Sequence, residues 1–305
     1  MNQYKGTILI LFSAFGFALM PIFARFAYLS EISVPTLLFI RFTIASFFFF
    51  GYIIVKKISF VLTPRDVFML FILGTICYTL MSNFYLISVK YISVTLAVLI
   101  LYTYPIIVSI LSSILDKEIP SKKIILSLFI SFIGLIMVLG TSIGQVSTLG
   151  IFFALGSSMV YSLYIILGNR VIRKIPSLIT TAFITFFSSL GTFLLGWISK
   201  DISFHFQGNA WSWALGISLF STIFAILAFF KGMELTGPTR ASILSMAEPL
   251  FSILISILLF GDTLTISQQL GGFILLLGTF LTAKSQEGIH NKQIDAHLKK
   301  DISML

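Results

Sequence analysis

The 305-residue chain is 57% hydrophobic and 15% aromatic, with only 10% charged residues and a mean hydropathy of +1.04. Soluble domains carry about 25% charged residues, so the composition excludes a water-soluble globule and a disordered chain; the single cysteine, Cys77, excludes an internal disulfide. The net charge of +9 does not point to nucleic acid, because the basic residues sit in short gaps between apolar runs, the pattern of membrane topology.

In chain order, ten apolar segments run about Gly6–Tyr28, Val34–Val55, Val67–Leu86, Ile92–Ile114, Ile124–Leu139, Leu149–Gly168, Leu178–Ile198, Trp211–Phe230, Ala241–Phe260 and Ile266–Ala283. Most have the ~17–25 residues a tilted membrane helix needs, the fifth and tenth being short. The first has Lys5 before an apolar stretch, like a secretory signal. It runs past Pro21 to Tyr28 into an equally apolar chain, which predicts a retained span. Alternating ten-residue strands of a barrel are absent. The expected fold class is an all-α membrane protein of ten transmembrane helices.

With the N-terminus inside, 16 of the 20 Lys and Arg fall on the inner side, among them Lys56, Lys57, Lys122, Lys123, Arg173 and Lys174. The outer loops keep Lys90 and Lys200, and Arg25 and Arg41 lie within spans. This bias predicts cytoplasmic termini. A shift of 144 residues places Thr95 on Thr239, Ala97 on Ala241, Pro105 on Pro249, Ser112 on Ser256 and Gly134 on Gly278. It also places Gly6 on Gly150 and acidic Glu118 on acidic Asp262. Five helices per half make the repeat inverted, the organisation of secondary transporters with a site near the midplane. The expected division is a first repeat over 1–143, a second over 144–284 and a cytoplasmic tail over 285–305.

The stretch 230–283, FKGMELTGPTRASILSMAEPLFSILISILLFGDTLTISQQLGGFILLLGTFLTA, closely resembles the C-terminal repeat of the drug/metabolite transporter superfamily, EamA-type branch. The resemblance rests on a small-residue turn, Glu248-Pro249, a Gly-acid loop, and Gln and Gly on the last helix. Residues 85–140 match with Tyr104-Pro105 in place of Glu-Pro, and Arg41 sits where the family commonly has an Arg. The resemblance implies a ten-helix carrier with cytoplasmic termini, often an exporter of amino acids or other small metabolites. It implies no particular substrate.

Polar residues inside spans are costly and face a cavity or another helix. Tyr78, Ser82 and Tyr85 share one face of the third span, and Ser157, Tyr161 and Tyr164 one face of the sixth. Tyr102 and Tyr104 come from the fourth, and Ser245, Glu248 and Ser252 from the ninth. Together they would make an amphipathic pocket; alternatively, the hydroxyls serve helix packing. Glu248 is the one carboxylate well inside a span, either a proton or amine site or a brace for the Pro249 kink. Arg41 either holds a substrate carboxylate or clamps carbonyls at an outer gate, whereas Arg25 snorkels or pairs with Glu31. Pro105 and Pro249 are the expected hinges. Gly134, Gly271, Gly272 and Gly278, with Ser127 and Ser131, read as close helix packing.

All three histidines lie outside the spans, and no His-Glu-x-x-His or Asp-rich motif occurs, so an intramembrane enzyme is not supported. No phosphate-binding Gly-Lys loop provides for ATP, and no repeated filter sequence suggests a channel. The expected function is a secondary active transporter in the cell membrane, exporting amino acids or related amphipathic metabolites by alternating access. The alternative is uptake, or export of a sugar-linked or phosphorylated solute. The expected partners are a small-molecule substrate and the lipid bilayer, without nucleic acid or cofactor, and the expected state is a monomer.

Overall fold

A computed structural model of the chain describes residues 2–115, 117, 119–140, 147–260 and 265–284. Among these residues ten helices are long and apolar enough to cross a membrane: Tyr4–Leu29, Val34–Val55, Pro64–Val89, Val94–Leu115, Lys122–Leu139, Thr148–Ile172, Ser177–Ile198, Ala210–Thr236, Pro238–Leu259 and Ile266–Lys284. They are called the first to tenth spans below. The Glu118–Asp262 match, the sequence boundary at 143/144 and the tail over 285–305 lie outside the described residues.

Several spans outrun their apolar letters because polar residues start them. Thr63 accepts from the Asp66 backbone N–H while Asp66 accepts from the Thr63 N–H, a reciprocal cap placed just before Pro64. Ser33, Ser93 and Ser121 cap the second, fourth and fifth spans in the same way with single bonds.

The packing has the pairing that an inverted repeat requires. The first span packs on the eighth and the sixth on the third, related pairs under the 144-residue shift. The second packs on the seventh, the fourth on the ninth and the fifth on the tenth, each span on its own counterpart. Small residues show the correspondence residue by residue. A side chain at Gly6 would collide with Leu235 and Thr236, and one at Gly150 with Tyr91 and Ile92, the same two positions in the other half.

The fifth and tenth spans approach backbone to backbone. A Cβ on Gly134 would strike the Leu275 backbone, one on Gly271 would strike Met137 and Val138, and one on Gly278 would strike Ser131. Gly272 faces elsewhere, toward Leu250. The expected close packing therefore holds at three of the four glycines, with Ser127 also accepting from Thr282 at 2.8 Å.

Candidate functional site

Three kinds of irregularity shape the middle of the bundle. The fourth span breaks at Tyr102–Thr103 between helices Val94–Leu101 and Tyr104–Leu115, and the ninth at Met246–Ala247 between Pro238–Ser245 and Glu248–Phe260. These breaks coincide under the 144-residue shift. Each lies just before a proline whose missing N–H leaves a carbonyl without its helical donor, that of Leu101 or Ser245. The expected hinges Pro105 and Pro249 thus each start the second half of an interrupted helix.

The third and eighth spans carry matched π-helical turns, Ile72–Tyr78 and Ile217–Phe224. The wider turn is supported in the eighth by Thr222, whose hydroxyl donates to the carbonyl of Ile217 five residues back at 3.1 Å. Finally, the first span breaks at Leu19, between Asn2–Ala18 and Met20–Leu29, with Pro21 two residues on. The sixth span, its counterpart, is unbroken.

The interruptions bring most of the candidate side chains together. Glu248 lies in the first turn of its half-helix, where unpaired backbone N–H groups favour a negative charge. The Tyr102 hydroxyl faces its carboxylate, and Tyr85, Tyr104 and Tyr161 lie within electrostatic reach. Tyr104 donates to the carbonyl of Ser242 at 3.3 Å. The two broken helices are therefore joined near their breaks by Tyr104, with the Tyr102 hydroxyl facing Glu248 beside it.

From there a row of rings crosses the molecule. Tyr104 meets Tyr161 edge-on at 4.6 Å between centroids, Tyr161 stacks near Tyr164 at 6.1 Å, and Tyr164 meets Tyr78 at 6.2 Å. At the far end the Tyr78 hydroxyl accepts from Arg41 Nη2 at 2.9 Å. Glu248 and Tyr161 are enclosed by protein on all sides yet keep part of their surface accessible. They border an internal space rather than the outer surface of the bundle. Tyr78, Ser82 and Tyr85 are likewise half-buried.

Other candidates are engaged in packing. Ser157 donates to the Met81 carbonyl at 2.8 Å and Ser245 to the Ala241 carbonyl at 2.9 Å. Arg41 has no carbonyl clamp. Nη1 points at the Met20 thioether at 2.7 Å, and the guanidinium lies 4.5 Å from the Phe42 ring centre. Met20 and Phe42 were missed by sequence reasoning, since neither letter stands out in so apolar a chain. The spacing of Phe42 next to Arg41 was the only available signal.

The chamber is closed at the end that holds the N-terminus and Lys284. There the halves Tyr104–Leu115 and Pro238–Ser245 pack directly on one another, and Ala241–Leu244 are wholly buried. Toward the other end no extended face joins Val94–Leu101 to Glu248–Phe260 among the described residues.

Two inverted five-helix halves around such a chamber define a carrier-type membrane protein. The chain belongs to the EamA-like transporter family, whose model matches twice, over residues 4–140 and 148–284. An uncharacterized transporter of Archaeoglobus fulgidus is 30% identical over 198 residues, 65% of this chain and 70% of that protein. A second one from the same organism is 27% identical over 85% of this chain and 91% of its own length. The uncharacterized transporter YyaM of Bacillus subtilis is 25% identical over 70% of this chain and 71% of its own. A crystal structure with 17% identity shares the fold at a TM-score of 0.78, covering 91% of this chain and 96% of that one.

Proposed function

We propose that the protein is a secondary carrier that exports amino acids or related amphipathic metabolites by alternating access, from a cell membrane in which both termini are cytoplasmic. The observation that carries this reading is the matched pair of broken helices, packed together on one side of a tyrosine-lined chamber and apart on the other. Rocking at Tyr102–Thr103 and Met246–Ala247 would open the packed end as the other closes, with little change in the ends of the spans. Rings offer faces to apolar and cationic groups, while hydroxyls and Glu248 meet polar ones. A phosphorylated solute would call for several cations in the chamber; among the described residues the ring row ends on one cation, Arg41 at Tyr78, which favours the zwitterionic or singly charged solute.

Comparing metabolites in the medium of cells with and without the gene identifies candidates for export. Purified protein in liposomes then exchanges the identified compound across the bilayer without ATP. Flux that needs ATP, or no gene-dependent change in any small organic solute, refutes the proposal.

A further inference from the structure

Arg41 is 2% exposed, seven residues into the second span from Val34, about 10 Å along the helix at 1.5 Å per residue. Its environment is unusual for a buried guanidinium. Arginine keeps its charge in proteins and carries five N–H donors in a planar fork. Here one donor meets a thioether, a weak acceptor, and another a phenol, while Nε has no partner at all. Buried charges are normally paired, and arginine is normally paired with a carboxylate.

The chain supplies no such counter-ion among its described residues. Of the five acidic residues described, Glu31 and Asp201 lie in the connections between spans, Asp66 is engaged with Thr63, Glu234 with Lys231 and Ser177, and Glu248 faces Tyr102 at the other end of the ring row. Among the described residues none forms a salt bridge to Arg41.

We infer that Arg41 is the seat of a carboxylate on the transported solute, so that the protein selects organic carboxylates over amines and alcohols of the same shape. This rests on the carrier reading above and names its substrate class. Nε and the neighbouring Nη present the edge that a carboxylate reads with two parallel bonds. Tyr78, having accepted from Arg41, keeps its own O–H to donate to the same group. Met20 begins the second half of the broken first span, so its thioether can swing aside at the Leu19 break as the carboxylate arrives. The body of the solute then lies along Tyr78, Tyr164 and Tyr161.

The test is thermal unfolding of the full-length protein in detergent micelles with three probes that share a ring and chain. These are 3-phenylpropanoate, 2-phenylethylamine and 3-phenylpropan-1-ol. Only 3-phenylpropanoate is expected to raise Tm, saturably. Arg41→Met should abolish that rise, yet melt no lower than wild type without probe, because it removes an uncompensated charge. Arg41→Lys, which keeps the charge and loses the fork, should weaken the response at least about tenfold and serves if the Met variant fails to fold.

Three results overturn the inference. They are equal responses to all three probes or none to the carboxylate, a response that persists in Arg41→Met, and a probe-free Arg41→Met protein that folds but melts well below wild type. The last would make Arg41 a structural tie. Melting requires no flux, so the seat can stand if transport fails; carboxylate-independent flux in liposomes would leave the carrier standing and remove the seat.

Discussion

Replacing Tyr102 by Phe isolates the tie between the two broken helices. The ring and its packing against Tyr104 remain, and the hydroxyl that meets Glu248 is lost. A hydrogen bond to a charged group is worth about 1.5–3 kcal/mol and one between neutral groups about 0.5–1.5 kcal/mol. Only part of the Glu248 surface is accessible, so water replaces the lost partner incompletely, which places the cost in the upper part of the first range. Tyr102→Phe should therefore cost about 2–3 kcal/mol while Glu248 is ionised, and about 1 kcal/mol in a Glu248→Gln background. The double-mutant coupling is then about 1–2 kcal/mol. Its sign with pH follows from the charge: coupling is present on the alkaline side and disappears as acid protonates Glu248. The assay is unfolding of the four proteins in micelles across a pH series, with counterflow in liposomes alongside. Zero coupling at every pH refutes the tie. A well-folded Glu248→Gln carrier with wild-type pH dependence of flux removes Glu248 from any proton step.

Three further outcomes are expected. In a Cys77→Ser background, cysteines at Lys57 and Arg173 should resist an impermeant thiol reagent in intact cells while one at Lys200 is labelled; the opposite pattern inverts the orientation. Pro105→Ala and Pro249→Ala should restore a backbone donor to each break and stiffen it, lowering the exchange rate several-fold with the protein still folded, and unchanged exchange rates would disconnect the breaks from the cycle. Gly134→Ala should destabilise by about 1–3 kcal/mol, because the new methyl meets backbone that cannot rotate away, whereas Gly51→Ala, with open space around it, should stay within about 0.5 kcal/mol. Equal melting of the two glycine variants would contradict the close approach of the fifth and tenth spans.

The ten spans were legible because a lipid-facing helix must be apolar along its whole length, and the inverted repeat because proline and glycine are placed by backbone geometry. Thus Pro105 and Pro249 gave away the breaks. The π-helical turns were hidden, since an extra residue in a turn leaves no mark in a helix apolar all round. The break at Leu19 had its clue in Pro21, but its role depends on Met20 meeting Arg41 across two spans, a contact no local pattern encodes. For the serines the letters left both readings open, and the backbone carbonyls to which Ser157 and Ser245 donate are not visible in them.

The break in the first span has a thermodynamic consequence. A machine built from two identical inverted halves would have two end states of equal free energy, each the image of the other. Here the 144-residue shift carries Arg41 onto Thr185, which bonds only its own helix, Met20 onto Tyr164, and the broken first span onto the continuous sixth. The halves share a frame but not its weights. Each 1.4 kcal/mol of difference between them tilts the occupancy of the two end states tenfold, so the protein has a preferred resting side before any solute or ion gradient acts on it. Restoring the balance would take only substitutions in one half, toward the residues already present in the other.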